Sequence, residues 1–312
     1  MTPVRSNREE RASPLNGWLV IDKPEGLSSN RAVVLLRAWT GVKAGHAGTL
    51  DPLATGVLPV ALGAATKIVA FAVGSYKTYR FRVAWGVARA TDDREGAIVG
   101  ESAVRPSPEK VAGILPLFVG TIAQKPPAFS AIHVGGRRAY ALARAGCPVE
   151  IAARPIEVRA LRLLDCPDPD HADFEAIVGK GAYIRALARD IACSLGTLGH
   201  IERMRRLAVG PFVESQAISL DSVAERRHIL HASGDLLPIE TALDEVPALA
   251  LSAGEARRLC CGQHVIPRET GEEGQVAGLA EGHLVGAYCD RILCALARVE
   301  RGGLKPVRVI QR

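Results

Sequence analysis

One carboxylate, Asp51, lies in the stretch GHAGTLDPLATGVLP (45–59), with His46 five residues before it and Pro52 directly after. Three glycines and two prolines break any helical or strand period there, which predicts a shaped loop. A carboxylate fixed in a stiff, apolar loop can stabilise or attack a sugar carbon that gains positive character as its leaving group departs. Such a group must stay ionised. Burial works against that, and a close cation works for it. On spacing alone, an Asp before Pro is first of all a turn anchor.

The elements on either side must position that loop. GWLVID (17–22) reads as a short strand ending at the turn 24–26. Ser28 or Ser29 can cap a helix through RAVVLLRAW (31–39), and ATKIVAFAV (65–73) reads as another helix. Tyr79, Phe81, Val83 and Trp85 alternate with Arg80 and Arg82, which is a strand pattern. Ser107 and Pro108 open a helix through 109–120, and 138–145 is helical. Strands are expected over 155–164 and 173–179. A helix is expected over 182–194, with apolar residues recurring at 184, 187, 188, 191 and 195. Strands and helices mix without regular alternation, so the fold class is α+β with a mixed or mainly antiparallel sheet. After about residue 245, a short helix and four strand-like runs predict a small β-rich domain.

Hydrophobic residues make up 48% of the 312 positions, enough for a substantial core, and the net charge is +6. The polar start MTPVRSNREERASP has no signal-peptide core, and no apolar run is long enough to span a bilayer, so a cytoplasmic protein is expected. Seven cysteines, at 147, 166, 193, 260, 261, 289 and 294, lack any metal-ligand spacing. They read as free thiols, with no metal site. Basic clusters at RSNREER, YRFR, GGRR, RPIEVRALR and ERMRR suit a broad phosphate-tracking surface and an ordinary solvated one about equally.

GHAGTLDPLATGVLPVALGAATK resembles the signature of the bacterial tRNA pseudouridine-55 synthases. GWLVIDKPEGLSS, YKTYRFRVAWG, PPAFSAIHVGGRRAY, KGAYIRALARDIACSLG and ERMRRLAVGPF agree with that family in order, densely over Gly17 to Ser222. The resemblance implies a mixed, mostly antiparallel sheet flanked by helices and loops. The polar start is expected to be a flexible tail (1–14); the resemblance makes 15–245 a catalytic domain and 246–312 a small β-rich RNA-binding domain of the pseudouridine synthase and archaeosine transglycosylase type. It implies isomerisation of uridine 55 in the T-loop of tRNA without metal or organic cofactor. The implied partner is tRNA, held at the T-arm and toward the acceptor stem. A monomer with no membrane and no obligate protein partner is expected.

By the same resemblance Asp51 is the catalytic carboxylate, acting on the sugar either as nucleophile or by removing a sugar proton. Arg185 is its guanidinium partner, able to hold it at two points. Tyr79 is the active-site tyrosine, whose ring stacks on uracil while its hydroxyl reaches a proton. His46 fills the place vacated when the uridine swings out. Tyr183 lies beneath the uracil, and Met204 stands where the family has an apolar residue against the base. Lys23 supports the loop and Lys67 meets phosphate. Phe129, His133 and Ala182 depart from the family's usual tyrosine, lysine and threonine. A tRNA-folding chaperone with an inactive site is the alternative. A glycoside hydrolase fits poorly, because the opening motif has one carboxylate and not two.

Overall fold

The structure, a computed structural model, describes residues 15–74, 76–147, 151–226, 228–230, 233–267 and 279–310. The tail expected over 1–14 and the RSNREER cluster lie outside them.

Gly17–Lys23 is apolar on both faces and nearly wholly buried, so it must lie inside a sheet. It pairs antiparallel with Thr55–Leu62 over its whole length, from Gly17 opposite Leu62 to Lys23 opposite Gly56. From edge to edge the main sheet runs Ile218–Ser219, Gly17–Lys23, Thr55–Leu62, Gly199–Val209, Lys77–Trp85, His171–Val178, Arg154–Asp168 and Gly120–Gln124. The short strands Ala44–His46 and Phe212–Val213 pair beside this path. Two pairings are parallel, Gly17–Lys23 with Ile218–Ser219 and Thr55–Leu62 with Gly199–Val209; the rest are antiparallel. This is the expected α+β, mixed and mostly antiparallel sheet. One row across it joins Lys23, Gly56, Arg206 and Tyr79, each opposite the next.

Two helices carry the site. Ser29–Thr40 starts at Ser28, whose hydroxyl accepts the Arg31 N–H, and ends at Gly41 in the left-handed region. Ser29 itself is buried and used elsewhere. Ile184–Ser194 buries Ile184, Leu187, Ala188 and Ile191 in the main core, with Ile201 of the strand that follows it.

The structure departs from the expected elements where tertiary pairing overrides local pattern. Thr55–Pro59, read as loop, belongs to a buried strand, and the Pro59 carbonyl accepts the Ala47 N–H. The helix expected over 65–73 is a 3₁₀ turn (Gly63–Ile68) followed by a short α-helix (Val69–Gly74). The helix expected over 109–120 stops at Ile114. Pro116 sits in the 3₁₀ turn Leu115–Phe118, and a strand begins at Gly120. Gly199–Val209, to which the sequence reading assigned no element, is a central strand.

In the C-terminal region Ala248–Ala250 pairs parallel with Leu284–Cys289. Ile292–Glu300 and Gly303–Val309 complete a four-stranded sheet, covered by the helix Ala253–Cys260. Three of the four strands expected after the helix are present, and the expected first run, around 273–280, lies largely outside the described residues; Ala248–Ala250 is a further strand before the helix. Leu293, Leu296 and Ile310 of this region share one apolar cluster with Trp18, Val20 and Phe212 of the main sheet. All seven cysteines are free. Among the described residues no helix is long and apolar enough to cross a membrane.

Gly56 has φ +100°, and a Cβ there would stand 2.2 Å from the Arg206 carbonyl oxygen. Gly56→Ala is therefore expected to cost about 4 kcal/mol, from strain plus displacement of two core strands. Denaturant unfolding measures this; a loss below about 1 kcal/mol would contradict the close approach.

Candidate active site

The loop that presents Asp51 is held by its carbonyls. Arg206, fully buried, donates to the carbonyls of Gly48 (3.0 Å), Thr49 (3.3 Å) and Val57 (2.8 Å). The Ser29 hydroxyl donates to Leu50 O at 2.9 Å and accepts the Leu50 N–H at 2.8 Å. The Ala54 N–H donates to Asp51 O. Lys23, also fully buried, donates to Pro52 O (3.2 Å), Pro24 O (2.8 Å) and Leu27 O (2.7 Å). Every carbonyl from Gly48 through Pro52 thus has a donor. A buried carbonyl left without one costs about 1–3 kcal/mol, so multidentate cations suit this task. Burial drives the Lys23 ammonium down to about 8, with Asp51 opposing and Arg206 assisting.

The Asp51 carboxylate faces Arg185. Arg185 Nε donates to Oδ2 at 2.8 Å and Nη2 to Oδ1 at 3.3 Å, a two-point contact. Nη1 donates to Thr91 O at 2.9 Å and Nη2 also to Phe129 O at 3.1 Å. Asp93, itself buried, brings Oδ2 to 3.7 Å from Nε. Arg185 is 6% exposed and Asp51 31%. The sequence reading supposes a buried carboxylate; the structure leaves its outer part open to solvent while Arg185 fixes the inner part. Because Phe129 contributes its carbonyl, the departure from tyrosine there leaves this contact intact.

Tyr79 and Met204 are buried in the same apolar cluster as Leu50, Leu53 and Ile184, on adjacent strands. His46 ends the strand Ala44–His46, and its buried Nδ1 has no hydrogen-bond partner among the described residues. Tyr183, half-buried, stands just before the Arg185 helix. Lys23 lies beneath the Asp51 loop. Lys67 is exposed and donates to Val309 O at 3.0 Å, at the end of the last strand. Asp51, Arg185 and Lys23 are thereby joined by direct bonds or a shared loop, and Lys67 stands at the junction with the C-terminal sheet.

Sequence reasoning missed Arg206, Ser29, Thr91 and Asp93. Arg206 looks like a surface residue inside ERMRR; the signal was its spacing of two from Met204, which puts both on one face of a strand. Several arginines of the basic clusters are paired with acids. Arg82 is paired with Asp173 at 2.7 and 2.6 Å, and Arg205 with Asp22 at 3.0 and 2.9 Å. Arg80 and Arg162 both meet Glu175. Cross-strand acids thus pair with these arginines, two of them sharing Glu175, while Arg80, Arg162, Arg137 and Arg138 remain exposed.

Residues 36–184 match the TruB family pseudouridylate synthase N-terminal domain, and residues 185–244 match the tRNA pseudouridylate synthase B C-terminal domain. A tRNA pseudouridine synthase B of Rhodospirillum rubrum is 47% identical, spanning 97% of this chain and 99% of that protein. Another, from Caulobacter sp., is 46% identical over the same shares of each. The chain belongs to the TruB family of pseudouridylate synthases. Among solved structures, the archaeal box H/ACA sRNP Nop10–Cbf5 complex superimposes with a TM-score of 0.71 at 22% identity, over 96% of this chain and 87% of that one. An H/ACA RNP bound to a substrate RNA containing 2′-deoxyuridine gives 0.73 at 21%, over 96% and 86%. These likenesses establish a shared fold. In this TruB-family chain the motif aspartate and arginine, far apart in sequence, form the two-point pair.

Burial, followed by the charge of Arg206, holds the His46 imidazole below its usual 6.5, so the ring is neutral at pH 7. The unfolded chain then takes up this proton first, and His46 lowers stability as pH falls through 6.5. NMR titration is expected to give His46 a midpoint below 6.5; a midpoint at or above that value would contradict the burial.

Proposed function

We propose that this TruB-family chain isomerises uridine to pseudouridine at position 55 in the T-loop of tRNA, in the cytoplasm and as a monomer. The observation that carries the proposal is the two-point Asp51–Arg185 contact on a loop whose carbonyls from Gly48 through Pro52 are all held. In the reaction the N1–C1′ bond breaks, the base turns, C5 joins C1′, and C5 gives up a proton. Nothing is oxidised and no external atom is added. Asp51 either adds to C1′ or takes a proton from the sugar. Both routes need an aimed carboxylate, and the Arg185 fork fixes its direction.

The other residues take supporting parts. The target uridine swings out of its loop, and His46, neutral and with a free ring nitrogen, fills the place it leaves. Met204 packs on the base and Tyr183 lies beneath it. Tyr79 stacks on the ring and turns its hydroxyl toward the proton that C5 loses. Arg137 and Arg138, on an exposed two-stranded hairpin, suit phosphate contact at the T-arm. Lys67 and the unit 246–312 extend that contact toward the acceptor stem. A folding chaperone with an inactive site would have no use for a carboxylate so closely aimed.

Incubation with an unmodified tRNA transcript, followed by mapping, is expected to give pseudouridine at position 55. Asp51→Asn is expected to lower the rate by about a thousandfold or more. Retention of activity within tenfold, or modification only elsewhere, would contradict the proposal.

A further inference from the structure

Gln124 and Arg154 stand directly opposite each other on the edge strand Gly120–Gln124 and its neighbour Arg154–Asp168. Both reach the turn that leads into the Arg185 helix. Gln124 is 1% exposed. Its Oε1 accepts the Tyr183 N–H at 2.8 Å, and its Nε2 donates to Tyr183 O at 3.1 Å. Both main-chain polar groups of Tyr183 are therefore gripped by one side chain. Arg154 Nη2 donates to Gly181 O at 2.6 Å, and its guanidinium lies 5.6 Å from the centre of the Tyr183 ring, a cation–π distance. The turn is shaped to that guanidinium: Gly181 has φ +88°, and a Cβ there would stand 3.2 Å from Arg154 Nη2. One residue further on, Lys125 offers its carbonyl to Arg189 Nη2 at 2.7 Å.

The helix Ile184–Ser194 has no capping side chain of its own at Tyr183. Its entry is fixed instead from the sheet edge, by an amide and a guanidinium. Arg185 is two residues past the grip. A side chain tied down at two acceptors needs its backbone in one place, because misplacement by about 1 Å can cost a hundredfold in rate.

We propose that Gln124 and Arg154 are positioning residues for the isomerisation: they fix Tyr183 and, through the helix entry, the direction from which Arg185 meets Asp51. This rests on the isomerase reading above.

The test uses Gln124→Met and Arg154→Met in the full chain, each alone and combined with Arg185→Lys. Single-turnover pseudouridine formation is measured on an unmodified tRNA transcript. Amide hydrogen exchange over 181–185 is measured in parallel. In the wild-type background each variant is expected to lower the rate at saturating tRNA at least about tenfold, with KM changed less than about threefold. In the Arg185→Lys background the further loss is expected to be below about twofold, because the two changes act through one contact. Equal losses in both backgrounds, a loss confined to KM, or no loss overturns the proposal. If Gln124→Met does not fold, Arg154→Met decides the same comparison. If the wild type makes no pseudouridine, the isomerase reading fails and exchange alone decides the clamp. Exchange of the Tyr183 amide is then expected to rise at least about tenfold on Gln124→Met, and unchanged exchange overturns it.

Discussion

The contact between Asp51 and Arg185 joins residues 134 positions apart, and most of the site exists to make it possible. A guanidinium taken out of water must have its N–H groups satisfied. Asp51 supplies two acceptors, and the carbonyls of Thr91 and Phe129 supply two more. Those two carbonyls come from different loops. Each loop is therefore tied to the same side chain, and Arg185 cannot turn away from Asp51 without leaving them unpaired.

The opposite half of the contact is built by the same means. Arg206 and Lys23 hold the loop that carries Asp51, and both belong to one row of the sheet with Gly56 and Tyr79. Two buried cations near one another are unfavourable in isolation, which is why Arg206 contributes to the lowered ammonium of Lys23. Six carbonyl oxygens around them and the nearby carboxylate of Asp51 offset that cost. Gly56 lets the strand backbones approach closely enough for the row to form.

Much of this was legible in the sequence, and the illegible part has a physical cause. The alternation over Tyr79–Trp85 and the apolar period over 184–195 announced their elements, and the Gly- and Pro-punctuated stretch announced its loop only between the strands that end at His46 and begin at Thr55. The central strand Gly199–Val209 did not, because Glu202, Arg203, Arg205 and Arg206 mask its apolar residues. An arginine that crosses to an acid on the next strand looks the same as a solvated one. Arg82 needs Asp173, 91 residues away, and only the sheet register brings them together. The bond from Lys67 to the Val309 carbonyl connects two regions whose apposition no local pattern encodes. Arg206 was hidden for the same reason: its three acceptors are main-chain groups that leave no mark in the residue types.

The central claim is that chemistry depends on the two-point geometry of this ion pair and not on positive charge alone. Arg185→Lys keeps the charge and removes the fork. The direct measurement is single-turnover pseudouridine formation by Arg185→Lys at saturating tRNA, alongside its tRNA Kd. The account predicts a rate lowered by about a thousandfold, with Kd within about threefold. A rate within tenfold of wild type, or a defect explained by weaker tRNA binding, would contradict it.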